Sequence, residues 1–446
     1  MNPGKIVDSY GVTENLRLKH YSTISQPGLH FQFSADGGNF ARATERCIGI
    51  GKCLKKDEGT MCPSYRATGE EEHSTRGRAH LLHEMMRGEV VKGGFQDEGV
   101  KHSLDLCLAC KACKTECPVG VDMASYKAEF LSHYYQKKRR PLSAYAFGFI
   151  NRWARLGSLM PWLANFTVQN PLLSGAAKKI MGIAPERKVP RLAGRSFVSW
   201  FKKRGIRNPG SPQILLWPDT FNNYFYPEVA IAATEVLEHL GYRVILPAQP
   251  LCCGRPLYDY GMLAEAKAFL NQIMLSLERE IREGIPMVGL EPSCTAVFRD
   301  ELTNFFGGDE TAKNLAKNSF LFSEFLARHP ELLKAFRFQG KTLVHGHCHQ
   351  QSVMGMESEK KILRSLGADF EILDAGCCGM AGAFGFEKEH YDLSLKIGER
   401  ALLPRVREAA SDTVVMADGF SCREQIVQTT GRRPLHLAQV LRAAIT

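Results

Sequence analysis

The stretch Cys107-Leu-Ala-Cys110-Lys-Ala-Cys113-Lys-Thr-Glu-Cys117-Pro118 places four thiols in the spacing C-x2-C-x2-C-x3-C-P. Two intervening residues let a tight backbone turn aim three sulfurs at three corners of one iron–sulfur cube. The fourth thiolate, ahead of the proline, reaches over to a second cluster. Zinc is the competing metal, but zinc pairs come as separated C-x2-C units and not as one continuous run.

A run whose last cysteine serves another cluster requires a companion, and one lies upstream. Cys47, Cys53 and Cys62-Pro63 take the first, third and fourth places of the same template, with Ile50 where the second cysteine belongs. By the crossed-ligand rule, one 4Fe-4S cluster draws on Cys107, Cys110, Cys113 and Cys62, and the other on Cys47, Cys53 and Cys117. Three thiolates beside an apolar residue resemble the three-iron site of fumarate reductase iron–sulfur subunits. The second centre is therefore a 3Fe-4S cluster or a second 4Fe-4S cluster with one iron lacking a protein thiolate. Arg76 and Arg78 follow closely; they either lie near the first cluster and raise its potential or merely solvate a helix.

The elements that must position these thiols are helical. Thr68 with Glu71 reads as a capping box ahead of an apolar face formed by Ala79, Leu81, Leu82 and Met85. A further helix runs from Val121 to about Tyr135, so residues 41–135 read as an all-α helical ferredoxin module. From residue 211 the pattern becomes strand, helix, strand, and it recurs about 128 residues later. Each copy carries a Cys-Cys-Gly unit, at Cys252-Cys253-Gly254 and Cys377-Cys378-Gly379, with a final cysteine at Cys294 or Cys422. Long periodic helices are expected near 260–282 and 387–402. The fold class is α+β multidomain: the ferredoxin module, a helical linker over 136–210, and two α/β cysteine-rich repeats over 211–340 and 341–446.

These units resemble the cysteine-rich domains of heterodisulfide reductase, of the anaerobic glycerol-3-phosphate dehydrogenase and of the iron–sulfur component of glycolate oxidase. The block Cys62-Pro-Ser-Tyr with His73-Ser-Thr-Arg-Gly-Arg-Ala79 looks most like the C-terminal half of FAD-linked D-2-hydroxy-acid dehydrogenases acting on D-lactate or D-2-hydroxyglutarate. The opening Asn2-Pro3-Gly4-Lys5-Ile6-Val7 resembles the close of the flavin-bearing half, so residues 1–40 read as an arm. The family's cysteine-rich domain supplies five thiolates to a noncubane cluster. Here the first repeat offers Asp219, Cys252, Cys253, Glu291 and Cys294. The second offers Cys348, Cys377, Cys378 and Cys422, with Gly419 at the remaining place and His347 or His349 nearby. Neither set reaches five, which leaves a single iron or zinc in the second repeat, or buried structural cysteines, as the readings.

The whole chain has 446 residues and a formal charge of +10. Residues 136–210 hold sixteen Lys and Arg against the single acid Glu186, and three of the four tryptophans, Trp153, Trp162 and Trp200. Such a segment suits an anionic membrane surface, a quinone contact or packing against a partner; it carries no motif for nucleic acid. Fourteen cysteines without a signal-type apolar core read as metal ligands in a reducing cytoplasm, with peripheral attachment to the inner face of a membrane. No G-x-G-x-x-G or phosphate loop is present, so no catalytic residue is assigned and FAD is expected on a partner only. The expected role is that of an oxidoreductase subunit, passing electrons from an FAD-linked dehydrogenase partner to quinone or another acceptor. The alternatives are a cysteine-rich domain that itself reduces a disulfide or quinone, and a non-enzymatic docking scaffold.

Overall fold

The computed structural model describes residues 23–57 and 59–445. The Asn2-Pro3-Gly4-Lys5 segment lies outside the described residues.

The first module is helical, with Pro63–Thr68, Thr75–Arg87, Glu98–Asp105 and Ala112–Glu116 arranged around the helix Met123–Tyr134. Every residue of that last helix is buried, although Lys127, Glu129 and His133 are among them. Each polar group is answered. The Glu129 carboxylate accepts from the backbone amides of His30 and Phe31 at 2.9 and 3.0 Å and pairs with His133 Nε2 at 2.8 Å. Lys127 Nζ donates to the Cys107 carbonyl at 2.7 Å, so the central helix grips the start of the cysteine run.

The capping box placed at Thr68 and Glu71 is corrected by the structure. Gly69, at φ 79°, closes the helix Pro63–Thr68, and the next helix starts at Thr75 with Ser74 as its cap, accepting from Gly77 N at 3.0 Å. A serine immediately before the apolar stripe wins over a threonine that the preceding helix already uses. The periodic stretch near 260–282 breaks at Leu277 into Leu263–Ser276 and Glu278–Arg282, and that near 387–402 resolves into Tyr391–Gly398 and Leu402–Glu408.

Two parallel sheets follow. The first has strands β1 (Gln213–Leu216), β2 (Arg243–Ile245), β3 (Met287–Gly289) and β4 (Ser319–Leu321), in the order β2-β1-β3-β4. The second has β5 (Lys341–Val344), β6 (Asp369–Ile372) and β7 (Val414–Met416), in the order β6-β5-β7. Its counterpart of β4 is reduced to one bridge between Met416 and Leu435. The repeats interlock. The helix Leu437–Ala443 that ends the second packs on Pro227–His239 of the first, and Phe322–Ala327 of the first packs on Glu357–Leu366 of the second. Ile214, Leu216 and Val288 of one sheet share a continuous core with Val344 and Met416 of the other.

The basic segment divides. Arg140 donates to the carbonyls of Tyr260 and Gly261 at 3.0 and 2.9 Å, Arg204 pairs with Glu238, and buried Arg187 donates to Gly385 O at 2.6 Å. The helices Ile150–Gly157, Pro161–Gln169 and Pro171–Met181 between them lie on the surface.

The two Cys-Cys-Gly glycines differ in what surrounds them. Both have positive φ, 77° at Gly254 and 87° at Gly379, but a Cβ at Gly379 would stand 2.1 Å from Ser394 O, whereas at Gly254 the nearest atom is 3.5 Å away. Gly254→Ala therefore costs about 1 kcal/mol of backbone strain. Gly379→Ala costs about 3 kcal/mol because strain and overlap add. Chemical denaturation of the two variants should rank them in that order.

Candidate metal centres

The structure groups the seven N-terminal thiols into two sets. Cys62, Cys107, Cys110 and Cys113 line one small cavity, together with Met61, Thr75 and Met123. Cys47, Cys53 and Cys117 line a second small cavity, whose other walls include Ile48, Ile50, Thr75 and Val121. The donor chemistry fits iron–sulfur clusters in both: four converging thiols in the first, three with an isoleucine in the second. Thr75 lines both cavities and stands between them.

The first set is buried and surrounded by donors. Arg78 is fully buried: Nε donates to Ser103 O at 2.8 Å, Nη2 to Ser64 Oγ at 2.9 Å, and Nη1 meets Cys62 Sγ at 3.5 Å. The guanidinium is thus fixed against a thiol and not solvating a helix. Arg76 contributes through its backbone, its N–H donating to Cys53 Sγ at 3.3 Å while its side chain pairs with Glu71. The second set lies nearer the surface, with Ile50 53% exposed.

The cysteine run is bolted to both repeats. Lys111, buried within it, pairs with Asp300 at 2.6 Å and Glu301 at 2.8 Å of the first repeat, and Lys114 also reaches Asp300. From the second repeat, His349 Nε2 meets Ala109 O at 2.9 Å and Ser352 Oγ donates to Cys110 O at 3.2 Å. The Cys110 thiol is pushed well above its ordinary range by burial and then by the nearby Cys348. The first cavity therefore lies against the thiols of the second repeat.

Those thiols gather where parallel strands end. Cys348 follows β5, Cys377 and Cys378 follow β6, and Cys422 opens the helix after β7, the usual place for a ligand site in parallel sheets. His345, Cys378 and Cys422 are buried with their ligand atoms all within 4.8 Å of one another. His345 faces Cys378 and helps lower it, and its ring has no oxygen or nitrogen partner. Cys378 is held well below its ordinary value because the Cys377 and Cys422 thiols donate to it. Cys348 is lowered to about 7, chiefly by the Cys377 thiol.

The sequence pattern does not single out His345. It directly follows the last residue of β5, where alternation cannot say which way an imidazole turns. The two histidines that the pattern does single out differ. His349 points at the ferredoxin run instead of the thiols. The His347 ring lies over Gly419, where a Cβ would come within 2.2 Å of its Cδ2. The imidazole thus fills the space that a thiolate at position 419 would need.

The first repeat is arranged otherwise. Asp219 Oδ1 accepts from the backbone amides of Phe221 and Asn222, both at 3.0 Å, and its Oδ2 from Asn222 Nδ2 at 2.8 Å. Glu291 accepts from Ser293 Oγ at 2.8 Å and from Phe420 N, across in the other repeat, at 2.8 Å. Both carboxylates are engaged as helix caps and clasps. Burial and then Glu291 raise Asp219 to about 6. Cys253 donates to Cys294 at 2.9 Å, yet burial and the neighbouring carboxylates still push Cys294 up to about 12. Cys252 is raised too, first by its contact with Cys253 and then by burial. Thiolate character is thus confined to the second repeat among these groups. A solvent-open cavity of ≈ 250 Å³, lined by Lys56, Arg66, Asp374, Arg400 and others, reaches Cys377.

Two folded modules built for sulfur ligation define an iron–sulfur protein of the oxidoreductase and electron-transport type. Residues 43–121 match the 4Fe-4S dicluster domain family, and residues 219–299 and 343–426 match the Cysteine-rich domain family. The chain is similar to D-2-hydroxyglutarate dehydrogenase of Escherichia coli (strain K12), 27% identical over 503 residues that cover 99% of this chain and 47% of that protein. It is similar to one subunit of the anaerobic glycerol-3-phosphate dehydrogenase of the same organism, at 29% identity over 61% of this chain and 69% of the relative. Lactate utilization protein A of Geobacillus kaustophilus is 29% identical over 49% of this chain and 94% of its own length. The chain spans about half the length of the D-2-hydroxyglutarate dehydrogenases it matches.

Proposed function

We propose that this chain is the electron-carrying part of a flavin-dependent 2-hydroxy-acid dehydrogenase, receiving electrons from FAD on a partner and delivering them to quinone or another acceptor. The observation that carries this reading is the line of thiol sets: a near-surface set at Cys47, Cys53 and Cys117, a buried set at Cys62, Cys107, Cys110 and Cys113, and the second-repeat set beside it. Similarity to D-2-hydroxyglutarate dehydrogenase over almost the whole chain supports the substrate class.

Bound iron–sulfur clusters would supply one-electron carriers whose potentials respond to nearby charge and hydrogen bonds. The chain's own contribution is to hold and bias them. Arg78 keeps a desolvated positive charge against Cys62, which favours the more negative, reduced state. Lys127, His349 and Ser352 grip the carbonyls of Cys107, Ala109 and Cys110, so the thiols keep their aim. In the second repeat, His345, Cys378 and Cys422, with Cys348, Cys377 and His347 around them, suit one iron or zinc. A second reading, in which that repeat itself reduces a disulfide or quinone, draws on the cavity that reaches Cys377.

The test is reconstitution. The isolated chain should not oxidise D-2-hydroxyglutarate, D-lactate or glycolate. With an FAD-linked dehydrogenase partner present, adding substrate should bleach the visible absorbance of the oxidised clusters. Clusters that stay oxidised with a turning-over partner would refute the relay, and turnover of a disulfide by the chain with dithionite would favour the second reading.

Ile50 is proposed to stand in place of a fourth ligand. Oxidised protein should therefore show a three-iron EPR signal, and Ile50→Cys should replace it with a four-iron cluster of lower potential. At the second repeat, His345→Ala should remove metal beyond that of the two clusters, measured by elemental analysis, while leaving cluster absorbance unchanged.

A further inference from the structure

The helices Ile150–Gly157, Pro161–Gln169 and Pro171–Met181 leave large apolar side chains in solvent. On Pro161–Gln169 the polar side chains are the ones tied to the protein. Asn165 exchanges two 2.8 Å hydrogen bonds with the backbone of Leu192, and Gln169 Nε2 donates to Val189 O at 2.8 Å. Trp162 and Phe166, one turn apart on the same helix, stand 69% and 58% exposed. On Pro171–Met181 the one buried residue is Ser174, whereas Leu172 and Ile180 are 84% and 68% exposed. A helix on a water-facing surface buries its apolar stripe and shows its polar face. Here apolar side chains stay exposed on three consecutive helices, Trp153 and Leu156 on the first among them, with Leu159 in the turn between two of them also exposed.

The mount is rigid. Ala184 N donates to Phe386 O at 2.8 Å and Lys388 N to Gly182 O at 2.9 Å, pinning the exit of the helices to the second repeat. Between residues 137 and 185 the sequence has no Asp or Glu. Arg152, Arg155, Lys178 and Lys179 surround the apolar side chains, and none has an ion-pair partner among the described residues. A second copy of this chain would bring like charges together, whereas an anionic surface would neutralise them.

We propose that these three helices are a docking surface for an anionic phospholipid bilayer. They lie in the headgroup zone, with Trp162, Phe166 and Leu172 entering the acyl boundary and the cations meeting lipid phosphates. No helix among the described residues is long and apolar enough to cross a membrane, so the contact is with one leaflet. The assignment rests on the exposed faces and their charge and stands apart from the redox role.

The experiment uses the full chain with its clusters and two vesicle types, phosphatidylcholine alone and phosphatidylcholine with phosphatidylglycerol. The protein should sediment with the anionic vesicles, and the interaction should weaken as salt shortens the Debye length below about 10 Å. Trp162→Glu with Phe166→Glu should lower vesicle partition by about tenfold or more. Arg155→Gln with Lys179→Gln should erase the preference for anionic lipid. Both variants should keep the wild-type melting curve, since the altered side chains are exposed. Lipids brominated on their acyl chains should quench Trp162 but not Trp217, which is 1% exposed. Failure to bind either vesicle, or equal binding by the Trp162/Phe166 variant, overturns the proposal. So does lipid-free dimerisation that the same variant abolishes, which would make a second copy the occupant.

Discussion

The ammonium of Lys111 is a charge with no water to share it. It sits inside the cysteine run, and its counter-ions, Asp300 and Glu301, come from a different module. A buried pair of this kind adds little net stability over an apolar packing, but separating the partners leaves uncompensated charge at a cost of several kcal/mol. The pair therefore acts as a registration pin. The loop that aims Cys107, Cys110 and Cys113 can take its place only where the first repeat offers two carboxylates, and Arg255, 2.8 Å from Glu301, keeps those carboxylates balanced. With His349 and Ser352 holding the same loop from the other repeat, the buried thiol set is fixed by three parts of the chain at once.

The repeats show how one scaffold is given two characters. Both gather thiols at the carboxyl ends of parallel strands, yet the protonation logic diverges. In the second, neighbouring thiols donate to Cys378 and Cys348 and lower both from their ordinary value. In the first, Asp219 and Glu291 occupy the equivalent ground, and contacts between the thiols together with burial raise Cys252, Cys253 and Cys294. The carboxylates there cap helices and, through Glu291 and Phe420, clasp the two repeats together. The first repeat has the arrangement of a support, the second that of a site.

Much of this is legible in the sequence wherever spacing alone decides geometry. Three cysteines two residues apart must share a turn, and the grouping of Cys62 with them follows from the pairing of two similar runs. The strand–helix alternation and its recurrence come from hydrophobic period, which survives without any alignment. What is not legible is orientation. His345 and His349 look equivalent as letters, and only the fold turns one toward Cys378 and the other toward Ala109. A buried aspartate reads the same whether it awaits a cation or caps a helix, as Asp219 does. Gly419 is visible as a missing thiol, but that the His347 ring fills its space depends on a contact across 72 positions of sequence. The fourth strand escapes the pattern because β4 runs straight into the helix Phe322–Ala327 with no turn residue to mark its end.

The exchange of final helices has a consequence for how the polypeptide is made. Pro227–His239 lacks one of its main packing partners until residues 437–443 have left the ribosome, and Glu357–Leu366 rests on a helix synthesised before it. The first repeat consequently emerges early but closes late, and its apolar face must be shielded throughout the synthesis of the second. Domain-by-domain maturation is closed to this half of the chain. The two sheets reach their final state together, and truncation within the last helix leaves the earlier repeat, not the later one, exposed to proteases and aggregation.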